Sequence, residues 1–325
     1  MRHWTTLLGV LIASSTLTSA PCAAQGSYPD KPINLVVPVP PAGILDSVAR
    51  MVGPPMSQTL GQTVIIDNRS GAGGNIAASM VARARADGYT LLLGYSMFHV
   101  GNPSMYSNLT WDPLRDFTPV AMLVVSPHII AVNTASPIKS LKELVDYARA
   151  NPGKLNYATP GSGSVPHVGM ELFKQLNHIE ITHVPYRGAG PAVQDVIAGN
   201  VQITIATPPS VIGFIQAGKL RPLAVAAKQR LAQLPDLPTT AEAGYPGFEL
   251  EAWVALLAPK GTPPEAIARL TESARKALES PQVRQSAQTF GVEIRYMPPT
   301  ELDALIHKDI DYWSKVITTA GIRVD

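Results

Sequence analysis

The sequence predicts an α/β protein of two domains, on three observations. Short β-rich runs alternate with segments of helical periodicity, the pattern of mostly parallel sheets covered by helices. Glycine, serine and proline punctuate that alternation, and most of the 30 prolines fall between periodic segments. The 325 residues also exceed what one hydrophobic core usually supports.

The N-terminus stands apart from this pattern. Arg2 and His3 precede an apolar run, Leu7 to Leu17, that is too short to span a bilayer. Small residues follow in Ser19-Ala20-Pro21-Cys22-Ala23-Ala24. This order marks a secretion signal over residues 1–24, with cleavage expected after Ala24. A lipid anchor on Cys22 is the less economical reading, because Pro21 and Ser19 suit that processing poorly. Cys22 is the single cysteine, so disulfides and thiol chemistry are not expected beyond the leader. No later stretch is apolar for long enough to cross a membrane.

Charge narrows the function classes. Lys and Arg number 26 against 24 Asp and Glu, a formal net charge of +2 that becomes +1 once Arg2 is removed with the leader. No run of like charge is present, so the dense basic face that nucleic acid requires is absent.

Taken in order, Ile33–Val37 reads as a buried strand, and Val64–Ile66 and Thr90–Leu93 as further strands. Asp46 to Leu60 is helical in pattern, with Pro54 and Pro55 expected to break or kink it. Asn75 to Ala86 carries Ile76, Met80 and Val81 at helical spacing and stops at Gly88. Ser140-Leu141-Lys142-Glu143 is a capping box ahead of Leu144, Val145 and Ala148, and Asn151-Pro152-Gly153 ends that helix. A strand at Leu155–Ala158 leads to a helix over Val165–Asn177. Val201–Ala206 and Leu223–Ala226 read as strands, with helices starting near Ala189 and Pro208. Thr262-Pro263-Pro264-Glu265 combines a capping box with proline at the first helical positions. A final helix from Thr300 places Leu302, Leu305, Ile306, Ile310, Trp313 and Ile317 on one stripe, a core face rather than a cofactor site. With no flexible linker, the domains are expected to join through hinge crossings at Pro127–Asn133 and Ala252–Ala258.

The chemistry points to backbone rather than side chains. Four glycine-rich turns each follow a strand and open a helix: Pro40-Pro41-Ala42-Gly43, Gly71-Ala72-Gly73-Gly74-Asn75, Gly161-Ser162-Gly163-Ser164 and Arg187-Gly188-Ala189-Gly190. Glycine lets N–H groups approach a ligand, and a helix start adds unpaired donors and partial positive charge, which suits an anion. One such turn is routine structure, but four at the edge where α/β crevices form point to a site. Neither a Walker-type phosphate loop nor a strand-anchored G-x-G-x-x-G is present. No G-x-S-x-G elbow exists, and Ser162 or Ser164 near His167 is more economically a helix cap than a nucleophile. His99, His128, His167, His178 and His183 are scattered without metal-ligand spacing. Arg187 either pairs with a ligand carboxylate or closes a loop ion pair.

These residues resemble the solute receptors of tripartite tricarboxylate transporters, the Bug family of periplasmic receptors. The likeness runs from Tyr28-Pro29-Asp30-Lys31-Pro32 to the C-terminal helix. Asn68-Arg69-Ser70-Gly71-Ala72-Gly73-Gly74-Asn75, Ala86-Asp87-Gly88-Tyr89-Thr90-Leu91-Leu92 and Val184-Pro185-Tyr186-Arg187-Gly188 carry it. So do Ala217-Gly218-Lys219-Leu220-Arg221 and Leu237-Pro238-Thr239-Thr240-Ala241-Glu242-Ala243-Gly244.

The resemblance implies a two-lobed periplasmic-binding-protein fold, type II-like, with a mixed sheet flanked by helices in each lobe and two hinge crossings. Lobe 1 is expected over 25–130 and 253–325, and lobe 2 over 131–252. It implies a monomeric periplasmic protein without cofactor or catalytic residues, which passes a small organic acid to integral-membrane transporter subunits. Presentation of the ligand to a sensor kinase is an alternative, and an enzyme on the same fold a more remote one. The candidate ligand-binding residues are Ala42, Gly43, Gly73, Gly74, Ser96, Ser162, Gly163, Ser164, His167 and Gly188. Asp46 is expected to cap a helix or order a loop, since it would repel an anion. Relatives carry P-P-G-G-x-x-D where this chain has Pro40-Pro41-Ala42-Gly43-Ile44-Leu45-Asp46; Leu45 replaces a commonly polar residue, Val39 a common Phe, and Gln202 and Ala206 frequent acids. Those departures predict a ligand with an apolar body and no essential ammonium group.

Overall fold

The computed structural model describes residues 28–41 and 44–324, so the expected secretion signal, with Ala42 and Gly43, lies outside the described residues. The chain begins with β1 (Ile33–Val37), α1 (Ile44–Leu60), β2 (Val64–Asn68), α2 (Asn75–Ala82), β3 (Thr90–Tyr95), α3 (Asn102–Met105) and β4 (Phe117–Pro127). It continues through β5 (Ile129–Asn133), α4 (Leu141–Ala150), β6 (Asn156–Thr159), α5 (Val165–Asn177), β7 (Thr182–Pro185), α6 (Ala189–Ile197), β8 (Ile203–Ala206), α7 (Pro208–Gln216) and β9 (Leu220–Val225). It closes with β10 (Glu251–Pro259), α8 (Pro264–Glu279), α9 (Pro281–Phe290), β11 (Glu293–Met297) and α10 (Pro299–Thr319).

Among the described residues these strands form two sheets, ordered β11-β4-β10-β3-β1-β2 and β7-β6-β8-β5-β9. Both are mixed. β1 runs parallel to β2 and β3, whereas β10 is antiparallel to β3 and β4. β6 runs parallel to β7 and β8, whereas β5 is antiparallel to β8 and β9. β5 and β10, by which the chain enters a sheet from the other, run against their neighbours, as does the edge strand β11 against β4.

Two stretches connect the sheets: His128, alone between β4 and β5, and residues 226–250 between β9 and β10. They are hydrogen-bonded to one another. Ala226 N–H donates to the His128 carbonyl at 2.8 Å, and Leu250 N–H donates to the Ala226 carbonyl at 2.9 Å. His128 Nδ1 lies 3.1 Å from the Leu250 carbonyl. The stretch Ala252–Ala258, expected as a crossing, lies inside β10, where each of its residues is buried.

α1 is continuous through Pro54 and Pro55, against the expected break. Each proline removes an N–H and costs about 3 kcal/mol. Val48, Ala49, Met51, Val52, Met56 and Leu60 are buried on this helix, and a large apolar side chain gains about 1.5–3 kcal/mol on burial, so packing wins. The Ser140 cap forms: Glu143 N–H donates to Ser140 Oγ at 3.1 Å, and the Glu143 carboxylate accepts from Lys139 N–H at 2.7 Å. The Thr262 box does not form, because α8 starts one residue later with Pro263 as its cap, and Thr262 Oγ1 donates to the Pro259 carbonyl at 2.8 Å. No helix among the described residues is long and apolar enough to cross a membrane.

Candidate ligand-binding cleft

A cavity of about 520 Å³ lies between the two sheets. The first sheet's side contributes Val39, the start of α1 (Ile44, Leu45 and Ser47) and the residues around the end of β3, Tyr95 and Phe98. The second sheet's side contributes the starts of α5 (Ser164, Val165 and Pro166), α6 (Ala189 and Gly190) and α7 (Thr207, Pro209 and Ser210). His128 lines it from the crossing, and Phe290 from the end of α9. Four helix starts from both sheets therefore face one space.

Helix starts leave N–H groups unpaired and carry partial positive charge. None of the described lining residues has a charged side chain. The space is thus mildly electropositive through backbone alone, walled mainly by apolar groups. α7 opens with Pro208-Pro209, which donate nothing, so its polar contribution is the Thr207 and Ser210 hydroxyls, 3.2 Å apart.

The turn from β6 into α5 is held by its own side chains. Ser164 Oγ accepts from His167 N–H at 3.4 Å and donates to the Gly161 carbonyl at 2.7 Å. Gly163 N–H donates to His167 Nδ1 at 3.0 Å. Gly163 has φ +75°, and a Cβ there would lie 2.9 Å from Val324 Cγ2 and 3.0 Å from Met105 Sδ. Only glycine lets this turn touch the other lobe so closely. The next turn is tied to it, since Gly188 N–H donates to the Pro160 carbonyl at 3.0 Å.

The family described as tripartite tricarboxylate transporter family receptor matches residues 48–322. The chain belongs to that family. A protein from the tcbD-tcbE intergenic region of Pseudomonas sp. strain P51 is 37% identical over 96% of this chain and 92% of its own. Protein BugT of Bordetella pertussis is 34% identical over 100% of this chain and 99% of its own. An R. palustris protein solved with adipate superposes with a TM-score of 0.82 at 38% identity, over 91% of this chain and 100% of its own. MatC of Rhodopseudomonas palustris, solved with bound malate, gives 0.78 at 34% identity, over 89% and 100%. The fold is accordingly that of a two-lobed periplasmic binding protein, and the family is one of solute receptors rather than enzymes.

In this receptor the residues singled out from sequence fall in different places. Ser164 lines the cavity. Gly74, Gly163 and His167 are buried without lining it: a Cβ at Gly74 would lie 2.9 Å from the Phe98 ring, and His167 spends Nδ1 on the Gly163 turn, while Gly188 is half-buried and is not among the lining residues. Ser96 is buried next to Tyr95 without lining the space. Gly73 and Ser162 are not brought to it; the Gly73 carbonyl accepts from Asn102 Nδ2 at 2.9 Å, and Ser162 is exposed. Asp46 is buried and accepts from Arg50 Nε at 2.9 Å and Asn68 Nδ2 at 3.0 Å, an ordering role. Arg187 is exposed and is not among the lining residues.

Of the departures from the family pattern, Val39, Leu45 and Ala206 line the cavity, with Ile44 beside them, whereas the Gln202 amide oxygen accepts from Asn156 N–H at 3.0 Å. Sequence reasoning missed Tyr95, Phe98, His128, Thr207, Ser210 and Phe290. Thr207-Pro208-Pro209-Ser210 carried a usable signal, a hydroxyl cap followed by prolines. The aromatic residues and His128 carried none, because only the strand order brings them together.

Proposed function

We propose that this receptor captures a small carboxylate-bearing molecule between its lobes and passes it to the membrane subunits of a tripartite transporter. The observation that carries the reading is the convergence of the α1, α5, α6 and α7 starts on one cavity whose described walls hold no charged side chain. A carboxylate there takes hydrogen bonds from amides and hydroxyls fixed before it arrives, in a poorly solvated space where they are strong. The apolar walls suit a hydrocarbon body, and with no acidic side chain among them an ammonium group finds no partner. The adipate and malate bound by the two R. palustris relatives agree in kind.

The moving bodies in this reading are the two lobes expected over 25–130 with 253–325 and over 131–252, divided at the crossings so that all of β5 moves with the second sheet and all of β10 with the first. A ligand that touches both lobes binds the closed arrangement better than the open one and so draws the equilibrium to it. Export by a signal peptide cleaved after Ala24, and action as a monomer, complete the proposal.

A thermal-shift panel tests it. Adipate, malate and 3-phenylpropanoate should each be tried beside glutamate, lysine and choline, and at least one of the first three should raise the melting temperature by several degrees at millimolar concentration. Stabilisation by lysine or choline, with none by any plain carboxylate, would overturn the reading.

A further inference from the structure

Beside the cavity the two lobes meet at two places, and each contact is made by a glycine next to a lining residue. On one flank Gly163, next to Ser164, touches the first lobe: a Cβ on it would lie 2.9 Å from Val324 Cγ2 and 3.0 Å from Met105 Sδ. Backbone bonds set the tail there. Val324 N–H donates to the Met105 carbonyl at 3.2 Å, and Arg323 Nη1 donates to the Ser104 carbonyl at 3.1 Å. On the other flank Gly291, next to Phe290, touches the second lobe: a Cβ on it would lie 2.7 Å from Pro208 Cβ. Pro208 stands between Thr207 and Pro209, which both line the cavity, and Gln233 Nε2 donates to the Gln288 carbonyl at 2.5 Å beside it. Gly163 and Gly291 hold φ +75° and +61°, but backbone alone does not single them out. Gly218 and Gly61 hold φ +67° and +70° with nothing within 4 Å of an added Cβ. What distinguishes the first two is the closeness of the other lobe.

We propose that Gly163 and Gly291 are the stops on which the lobes come to rest, positioning residues whose missing side chains set how far the cleft closes on its ligand. The inference rests on the capture cycle proposed above and names the residues that define its closed arrangement. The chain links the two sheets at the laced crossings, so contacts on the flanks of the cavity are free to part as the lobes swing open. A methyl at either glycine would meet the other lobe early and hold the walls apart. Each stop adjoins a lining residue, Ser164 or Phe290, so the gap passes directly to the ligand. A ligand denied one wall loses the differential contacts that favour closure. The rival reading is a permanent interface between the lobes, and the two differ in what an added methyl does to the unliganded protein.

Gly163→Ala and Gly291→Ala test it against Gly218→Ala and Gly61→Ala, which add the same methyl to the same kind of backbone with nothing to meet. Melting temperature is read without ligand, and affinity by calorimetry with adipate, malate and 3-phenylpropanoate. Spin labels on Arg85→Cys and Lys142→Cys, exposed positions on the first and second lobes, report the lobe separation in a Cys22→Ser background. Without ligand each stop variant should lose as much melting temperature as its control, the strain of a left-handed alanine. An acid that binds the unaltered protein should bind each stop variant about tenfold more weakly, and each control within about twofold. The short label distance of the liganded protein should be depopulated in the stop variants and kept in the controls. Val324→Ala added to Gly163→Ala trims the atom that the new methyl meets, and should restore most of the affinity without relieving the backbone strain. Should one glycine variant fail to fold, the other carries the test from the opposite flank. A stop variant that loses more melting temperature than its control reveals a permanent interface and overturns the proposal. Affinity and label distances equal to the controls overturn it as well. If no acid of the panel binds, the carboxylate reading falls and the labels decide alone: a short-distance population lost in the stop variants supports the stops, and one distance in every protein overturns them.

Discussion

His167 of α5 and His183 of β7 stack face to face, with ring centroids 3.8 Å apart and planes 12° apart. Tyr157 packs against both rings, Thr159 Oγ1 lies 2.6 Å from His183 Nε2, and Lys174 and Glu171 complete the surroundings. Burial, with Lys174 beside His167 and both His167 and Lys174 beside His183, lowers each pKa to about 4. A proton on His167 Nδ1 would also remove the acceptor that holds Gly163 N–H.

Acid should therefore loosen this turn. The unfolded chain takes up these protons near pH 6.5 and the folded chain near pH 4. The stability from neutral stacking is fully present above the unfolded value and is lost as pH falls from about 6.5 toward about 4. His99 and His128, also lowered to about 4 by burial, act in the same direction. Urea midpoints should fall between pH 7 and pH 5, and less steeply in His183→Asn. A flat profile would contradict the neutral stack.

Ser164→Ala removes both the α5 cap and the bond to the Gly161 carbonyl. A cost of about 1 kcal/mol is expected from the cap alone. Because Ser164 lines the cavity, carboxylate affinity should fall more than it does in Ser140→Ala, which removes an equivalent cap on α4, a helix that does not line the cleft. Denaturation and titration of the two variants side by side give the comparison.

Gly74→Ala should act at a distance. Gly74 has φ +88°, and the added methyl would meet the Phe98 ring, which lines the cavity. The strained backbone costs about 1–3 kcal/mol, and the displaced ring should weaken binding severalfold. Gly213→Ala, on an exposed helical position with nothing near the new methyl, should instead stabilise by about 0.5–1 kcal/mol. Melting curves distinguish the two.

Trp253 Nε1–H donates to Asp309 Oδ2 at 2.8 Å. Burial raises the Asp309 pKa despite that bond, so the carboxylate disfavours the folded state as pH rises through its folded value. Asp309→Asn keeps an acceptor for Trp253 and removes the buried charge. Its melting temperature at pH 7 should equal or exceed that of the unaltered protein, and a drop of several degrees would show that the charge is stabilising.

The sequence revealed much of the scaffold and part of the site. Strands such as β1 and β3, and helices α4, α5, α6 and α7, were readable because local pattern and tertiary burial agree in them. β10 was misread as a hinge: Trp253-Val254-Ala255-Leu256-Leu257 has no alternation, since a central strand buried on both faces needs none. α9 and β11 were missed because their segments bury only Val283, Ala287 and little else, too few large apolar residues to stand out from a polar stretch. At the site, Ser164 was legible as a turn residue opening a helix. His128 was not, because a lone histidine between two strands has no pattern, and its meaning depends on Leu250, 122 positions away.

The crossing at His128 and the one through Ala226 and Leu250 are laced side by side. A single strand of backbone could twist as well as bend, and two separate ones could shear. Bound into a narrow ribbon, they leave one soft direction of travel. In the proposed capture cycle, opening and closing would then retrace one arc, so that the closed shape is reached along a single coordinate.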